Sequence, residues 1–166
     1  MKIGTVFNGL AVLLAIVALV LALVVLFSDP STKKSAQATP VDAQKTTVGD
    51  MQFEVVTSTA AQELGLSNRP SIPDNYGMLF VFPVAYRYGF WMKDMLVPID
   101  IIWLSDTGDI LLIDHSVDPS TYPHAFYPPS PVRYVLETKA GFATQHAWDV
   151  GTHVALPAPY GQLDKK

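Results

Sequence analysis

From Gly9 to Phe27 the chain carries no polar side chain, an uninterrupted run of nineteen residues. As a helix rising about 1.5 Å per residue, such a run matches a bilayer core of about 30 Å, and only a helix satisfies its own backbone there. Residues 1–27 are therefore expected to form a single-pass transmembrane anchor, which confines any globular domain to the remainder of the chain. A cleaved signal peptide is the rival reading, but its apolar region runs to only about 7 to 15 residues with a cleavage site close behind. The one cleavage-like box, Ala36-Gln37-Ala38, lies well beyond Phe27. Lys2 flanks one end of the run and Lys33 and Lys34 the other, so charge nearly ties on orientation. The short N-terminal flank favours a cytoplasmic amino terminus and an extracytoplasmic domain.

Residues 28–49 are Ser, Thr, Lys, Gln, Ala and Pro with hardly a large apolar side chain, too little to offset the entropy of ordering. They read as a flexible tether. Residues 50–157 read as the folded domain and 158–166 as a loose tail. From Met51 onward seven Lys or Arg face twelve Asp or Glu, a net charge of −5. With no basic stripe and no phosphate-cradling glycine loop, a nucleic-acid partner is excluded from the expectations. The chain has no cysteine, which removes disulfides, thiolate metal sites and a cysteine nucleophile.

Within the domain, Gln52–Val56, Met78–Phe82, Tyr88–Met92, Ile99–Leu104, Ile110–Val117, Arg133–Thr138 and His153–Leu156 are short runs rich in aromatic and β-branched residues, the signature of strands. Asp106-Thr107-Gly108-Asp109 is turn chemistry and predicts a hairpin between the fourth and fifth of these. Ser58–Gly65 predicts a short helix, with Thr59 and Gln62 spaced as a capping box and Gly65 as a left-handed stop. A second short helix is predicted over Gly141–Ala147. Asp118–Pro131, with five prolines, is expected to be a long loop. The pattern predicts a mainly β fold, a small β sandwich or partly open barrel with two short helices, preceded by one transmembrane helix.

The order of motifs is more specific than any of them alone: Gly65-Leu66, Gly77-Met78-Leu79-Phe80-Val81-Phe82, Phe90-Trp91-Met92-Lys93, Pro98-Ile99-Asp100, the Gly108 hairpin, Val135-Leu136-Glu137 and Ala140-Gly141. Over roughly Gln52–Leu156 the chain resembles DUF family 192, a domain of unknown function. The resemblance implies a small, mainly β domain often found behind a signal peptide or membrane anchor, with no established activity. Two positions depart from the family pattern. Ser67 stands where Met is usual, and Asp94 where Asn is usual.

Charge in the aromatic segment defines the candidate site. An ionised group taken from water costs several kcal/mol unless paired, so Lys93, Asp94 and Asp100 are partnered, exposed or retained for a purpose. Trp91 and Lys93, two apart in a predicted strand, share a face. In a structural reading Lys93 lays its stem on Trp91 and pairs with Asp94, Asp100 or Glu137, while Arg133 pairs with Glu137. In a functional reading Trp91, Lys93, Asp94, Asp100 and Glu137 line a recess that binds a small molecule, a glycan or a peptide. A hydrolase acting on cell-envelope or carbohydrate material through Asp100 and Glu137 is an alternative, and requires the two to face each other at about 5 to 10 Å. A structural or assembly module at the membrane is the third. His115, His124, His146 and His153, even with Asp114 and Asp118, match no ligand spacing, and no Gly-x-Ser-x-Gly elbow is present. No metal, cofactor or catalytic residue is assigned, and binding is preferred to catalysis.

Overall fold

The structure is a computed structural model and describes residues 43–161. The expected transmembrane segment, most of the tether and the end of the tail lie outside the described residues. Within them the fold is mainly β, with eight strands and two short helices. The strands are β1 (Gln44–Val48), β2 (Met51–Val56), β3 (Tyr76–Tyr86), β4 (Phe90–Trp91), β5 (Ile99–Leu104), β6 (Ile110–Val117), β7 (Ala125–Phe126) and β8 (Val132–Lys139). The helices are α1 (Thr59–Leu64) and α2 (Phe142–Gln145). Six strands form one sheet in the order β1-β2-β3-β8-β5-β6, and β4 pairs with β7 in a separate ribbon. Among the described residues the large sheet is not closed: β1 and β6 are its outer strands, and the start of β6 is covered by Gly151 and Thr152, which bond to Ile110. Every pairing is antiparallel except β2 with β3, which are parallel and joined through α1.

Side-chain alternation divides the core between the two faces of the large sheet. On one face Met78, Phe80 and Phe82 of β3, Ile101 and Trp103 of β5 and Val135 of β8 pack with Ala61 of α1 and Phe90 of β4. On the other, Leu79, Val81, Ile102, Leu104 and Leu136 pack with Ala143 of α2. Because both faces are covered, all six residues of β5 are buried and its sequence shows no polar alternation.

Several local expectations are corrected. Residues 44–48, assigned to the tether, form the edge strand β1. Its polar side chains are tolerated because three of its five residues are exposed, none is buried, and its backbone is paired to β2. The cap of α1 is Ser58 rather than Thr59: its hydroxyl accepts from Ala61 N at 3.3 Å. Gln62 instead donates to the Val81 carbonyl at 2.9 Å, tying the helix to β3. The strand predicted over Tyr88–Met92 shrinks to Phe90–Trp91, and its partner β7 lies inside the proline-rich loop. The closing strand at His153 is a single bridge to Asp109. The tail, as far as Gly161, is not loose. Tyr160 packs edge-on against Tyr134 with ring centroids 6.3 Å apart.

Candidate functional site

Glu54, Met78, Glu137 and Ile101 lie in one cross-strand row on the α1 face, so two carboxyls enter that core from β2 and β8. They meet different fates. Burial by itself would raise Glu54, but hydrogen bonds from Arg69 and Tyr76, with the guanidinium charge, hold it below the usual carboxylate range. Arg69 grips it with both terminal nitrogens, at 2.9 and 3.2 Å, and Tyr76 Oη donates at 2.5 Å. This is a closed ion pair: both carboxylate oxygens of Glu54 have their partners.

Glu137 has none. It is 5% exposed, and Oε2 is buried with no hydrogen-bond partner. Desolvation pushes its pKa up to about 8, with only a small opposing pull from the Arg69 charge. At neutral pH the side chain is therefore mostly the uncharged acid, able to donate as well as accept. The expected pair with Arg133 does not form, because Arg133 Nε donates to the Phe82 carbonyl at 3.2 Å.

Glu137 lines a cavity of about 440 Å³ between α1 and the sheet. Phe80, Phe82, Tyr88, Phe90 and Trp91 supply its aromatic wall, and Met95 a flexible apolar contact. Alternation along β3 puts Phe80 and Phe82 on this face, and the chain reverses between β3 and β4 to bring Tyr88 and Phe90 back against them. Phe82 and Tyr88 stack at 3.7 Å between centroids, and Phe90 meets Phe80 edge-on at 4.8 Å. Trp91 stands at the mouth, 53% exposed. Gly65 lies over the acid without offering it a side chain. A Cβ there would lie 3.6 Å from Glu137 Oε2 and 3.4 Å from Phe80 Cζ, and the φ of +51° disfavours any other residue.

The five sequence-predicted residues do not converge. Trp91 and Glu137 line the same cavity. Lys93 and Asp94 are exposed in the turn after β4 and outside its lining, and among the described residues neither side chain makes a hydrogen bond or ion pair. Lys93 does not share a strand with Trp91, because β4 ends at Trp91. The turn is held by the segment after α1: Ser67 Oγ donates to the Lys93 carbonyl at 2.9 Å, and Asn68 N to that of Asp94 at 2.8 Å. The two departures from the family pattern are thus neighbours in space. Asp94 has φ +57°, a conformation Asn and Asp adopt more readily than most residues, so an amide at this position is explained by backbone geometry alone.

Asp100 is the clearest correction. It is fully buried on the opposite face of the sheet from Glu137, as the pairing of Asp100 with Thr138 and Ile101 with Glu137 requires. Its carboxylate accepts three backbone N–H groups: Ser116 at 2.8 Å, Gly141 at 3.1 Å and Ala143 at 3.0 Å. Gly141 begins α2 and has no side chain with which to cap it, so Asp100 caps the helix from a neighbouring strand. Ser116 N is supplied by an irregularity in the β5–β6 ladder, where the register shifts between Ile99 and Ile101. Asp100 is thereby committed to structure.

Sequence reasoning missed Gly65, Phe80, Phe82, Tyr88 and Phe90 as cavity residues. The alternate aromatics at 80 and 82, and again at 88 and 90, were the available signal. The reversal that makes them converge was not written in any local pattern.

Comparison with known proteins agrees with this architecture. The profile of the DUF192 family, described as an uncharacterized ACR, matches residues 40–156. Among solved structures, a candidate transcription regulator from Sinorhizobium meliloti 1021 is similar with TM-score 0.59 and 28% identity, over 62% of this chain and 79% of that one. A protein of unknown function from Novosphingobium aromaticivorans DSM 12444 is similar with TM-score 0.58 and 24% identity, over 75% of this chain and 99% of that one. No curated protein matches the chain.

Proposed function

This chain belongs to the DUF192 family, described as uncharacterized, and from its own cavity we propose that it is a ligand-binding domain. The observation that carries the reading is the unpartnered, buried acid of Glu137 facing an aromatic cavity of about 440 Å³. Leaving a buried polar group unmade costs about 1 to 3 kcal/mol, and a bound molecule that hydrogen-bonds it recovers that cost. The size lies toward the small end of small-molecule pockets, with a predominantly apolar wall and one polar anchor, the usual division of labour at such sites. Of the residues first selected, Trp91 and Glu137 belong to this site, and Lys93 and Asp94 flank it.

The hydrolase alternative loses its basis, since Asp100 and Glu137 lie on opposite faces of the sheet. In the binding reading residues 9–27 anchor the chain in a membrane and the domain works on the extracytoplasmic side. That part rests on the apolar run and its flanks.

The full chain in lipid nanodiscs, screened against small amphiphiles, short peptides and sugars by thermal shift, is expected to be stabilised by a subset. Glu137→Met, which removes the unpartnered acid at similar volume, is expected to fold and to abolish the shift. No stabilising compound, or stabilisation unchanged in that variant, would refute the reading. Protease added to intact cells is expected to cleave the domain from its anchor, and full protection would reverse the orientation.

A further inference from the structure

The charge of the cavity is as informative as its shape. Two carboxyls line it, Glu137 at depth and Glu63 from α1, and no Lys, Arg or His does. The guanidinium of Arg69, the cation acting on Glu137, is engaged by both oxygens of Glu54. Aromatic faces attract cations through the ring quadrupole, and the attraction grows where water is excluded. A wall of Phe, Tyr and Trp closing on a carboxyl that lacks a hydrogen-bond partner is the arrangement that stabilises an ammonium group. An anionic ligand would meet two carboxyls and no counter-charge.

We infer that the cavity selects organic cations, an ammonium head seated against Glu137 and the aromatic wall with an apolar body filling the remainder. The inference rests on the cavity being a binding site and adds the chemical class of its occupant. Seating the cation ionises Glu137, which delivers one proton to solvent, and the resulting ion pair gives the carboxylate a counter-charge that no lining residue supplies. The charged groups around that acid are Arg69, held by Glu54, and Glu63. Gly65 and the hydrocarbon side chains complete its surroundings.

The test compares hexyltrimethylammonium, hexanol and hexanoate on the full chain in nanodiscs, with empty nanodiscs subtracted. Hexyltrimethylammonium has a charge that does not titrate, so any proton released comes from the protein. It is expected to bind at least about tenfold more tightly than hexanol, and hexanoate more weakly than either. Its affinity should rise with pH up to about 8, the value at which Glu137 ionises unaided, and then level. Calorimetry in buffers of different ionisation enthalpy at about pH 6.5 should register release of nearly one proton. Glu137→Gln should lose most of the preference for hexyltrimethylammonium over hexanol and release no proton, the remaining preference coming from the aromatic faces. Hexanol binding as tightly as the cation to the unaltered chain, or a cation preference undiminished in Glu137→Gln, would overturn the cation assignment while leaving a binding cavity. Failure of all three probes to bind would overturn both. If Glu137→Gln does not fold, the pH profile and proton release of the unaltered chain decide the matter.

Discussion

A buried glutamate in a β-sheet core is normally explained by its partner, and the two on the α1 face separate the explained case from the unexplained one. Glu54 has Arg69 and Tyr76; Glu137 Oε2 has no hydrogen-bond partner among the described residues. The difference has an opposite signature in pH. Glu54, held low, contributes stability above the ordinary carboxylate pKa, and that contribution is lost as the pH falls through its folded value. Glu137 is raised from 4.5 to about 8, so its contribution is greatest below 4.5. It declines as the unfolded chain ionises while the folded one does not, and is gone once the pH passes about 8. In urea unfolding at about pH 5 and about pH 8, the unaltered chain is therefore expected to lose stability relative to Glu137→Gln as the pH rises. A constant difference between the two proteins would mean that Glu137 is not held as the neutral acid.

At the scale of elements, Asp100 joins three parts of the fold that no local pattern connects: the start of β5, the irregular end of β6 and the start of α2. Asp100→Ala strands three N–H groups at about 1 to 3 kcal/mol each, so a loss of about 3 kcal/mol or more is expected in urea unfolding. Asp100→Asn, which accepts at one atom only, should fall between. A loss under about 1 kcal/mol would show that water replaces the carboxylate. The contrast with Glu137 shows what the sequence made legible. Strands β5 and β6 were readable to the residue because apolar runs end abruptly at Asp106-Thr107-Gly108-Asp109. Edge strand β1 was not, since a polar edge looks like a tether until its partner is known. The two-residue ribbon of β4 and β7 is too short for any periodicity to register. That Asp100 and Glu137 mattered was visible from their setting among apolar residues. Their facing opposite ways depends on the register between β5 and β8, which only the fold supplies.

For the whole domain, the cavity lies where two kinds of structure meet. Its floor is the centre of the large sheet, with Phe80 and Glu137 on adjacent paired strands. Its roof is the connection between the parallel strands β2 and β3, including α1 and Gly65. Ladder amides surrounded by core open only with the whole domain, whereas a six-residue helix held by one capped end and a few side-chain ties opens locally. Hydrogen exchange of the full chain is therefore expected to show fast exchange across residues 59–67 and slow exchange in β3, β5 and β8, with a bound cavity ligand slowing the first group selectively. Uniform protection across both would argue against a roof that moves independently. The parallel pairing of β2 with β3 has an evolutionary consequence, because strands running the same way must be joined by a detour, and here the detour is also the cover of the cavity. Residues 57–75 belong to no paired strand, so changes there at positions other than Arg69, which holds the buried charge of Glu54, can shift the range of molecules accepted between relatives that keep the same sheet.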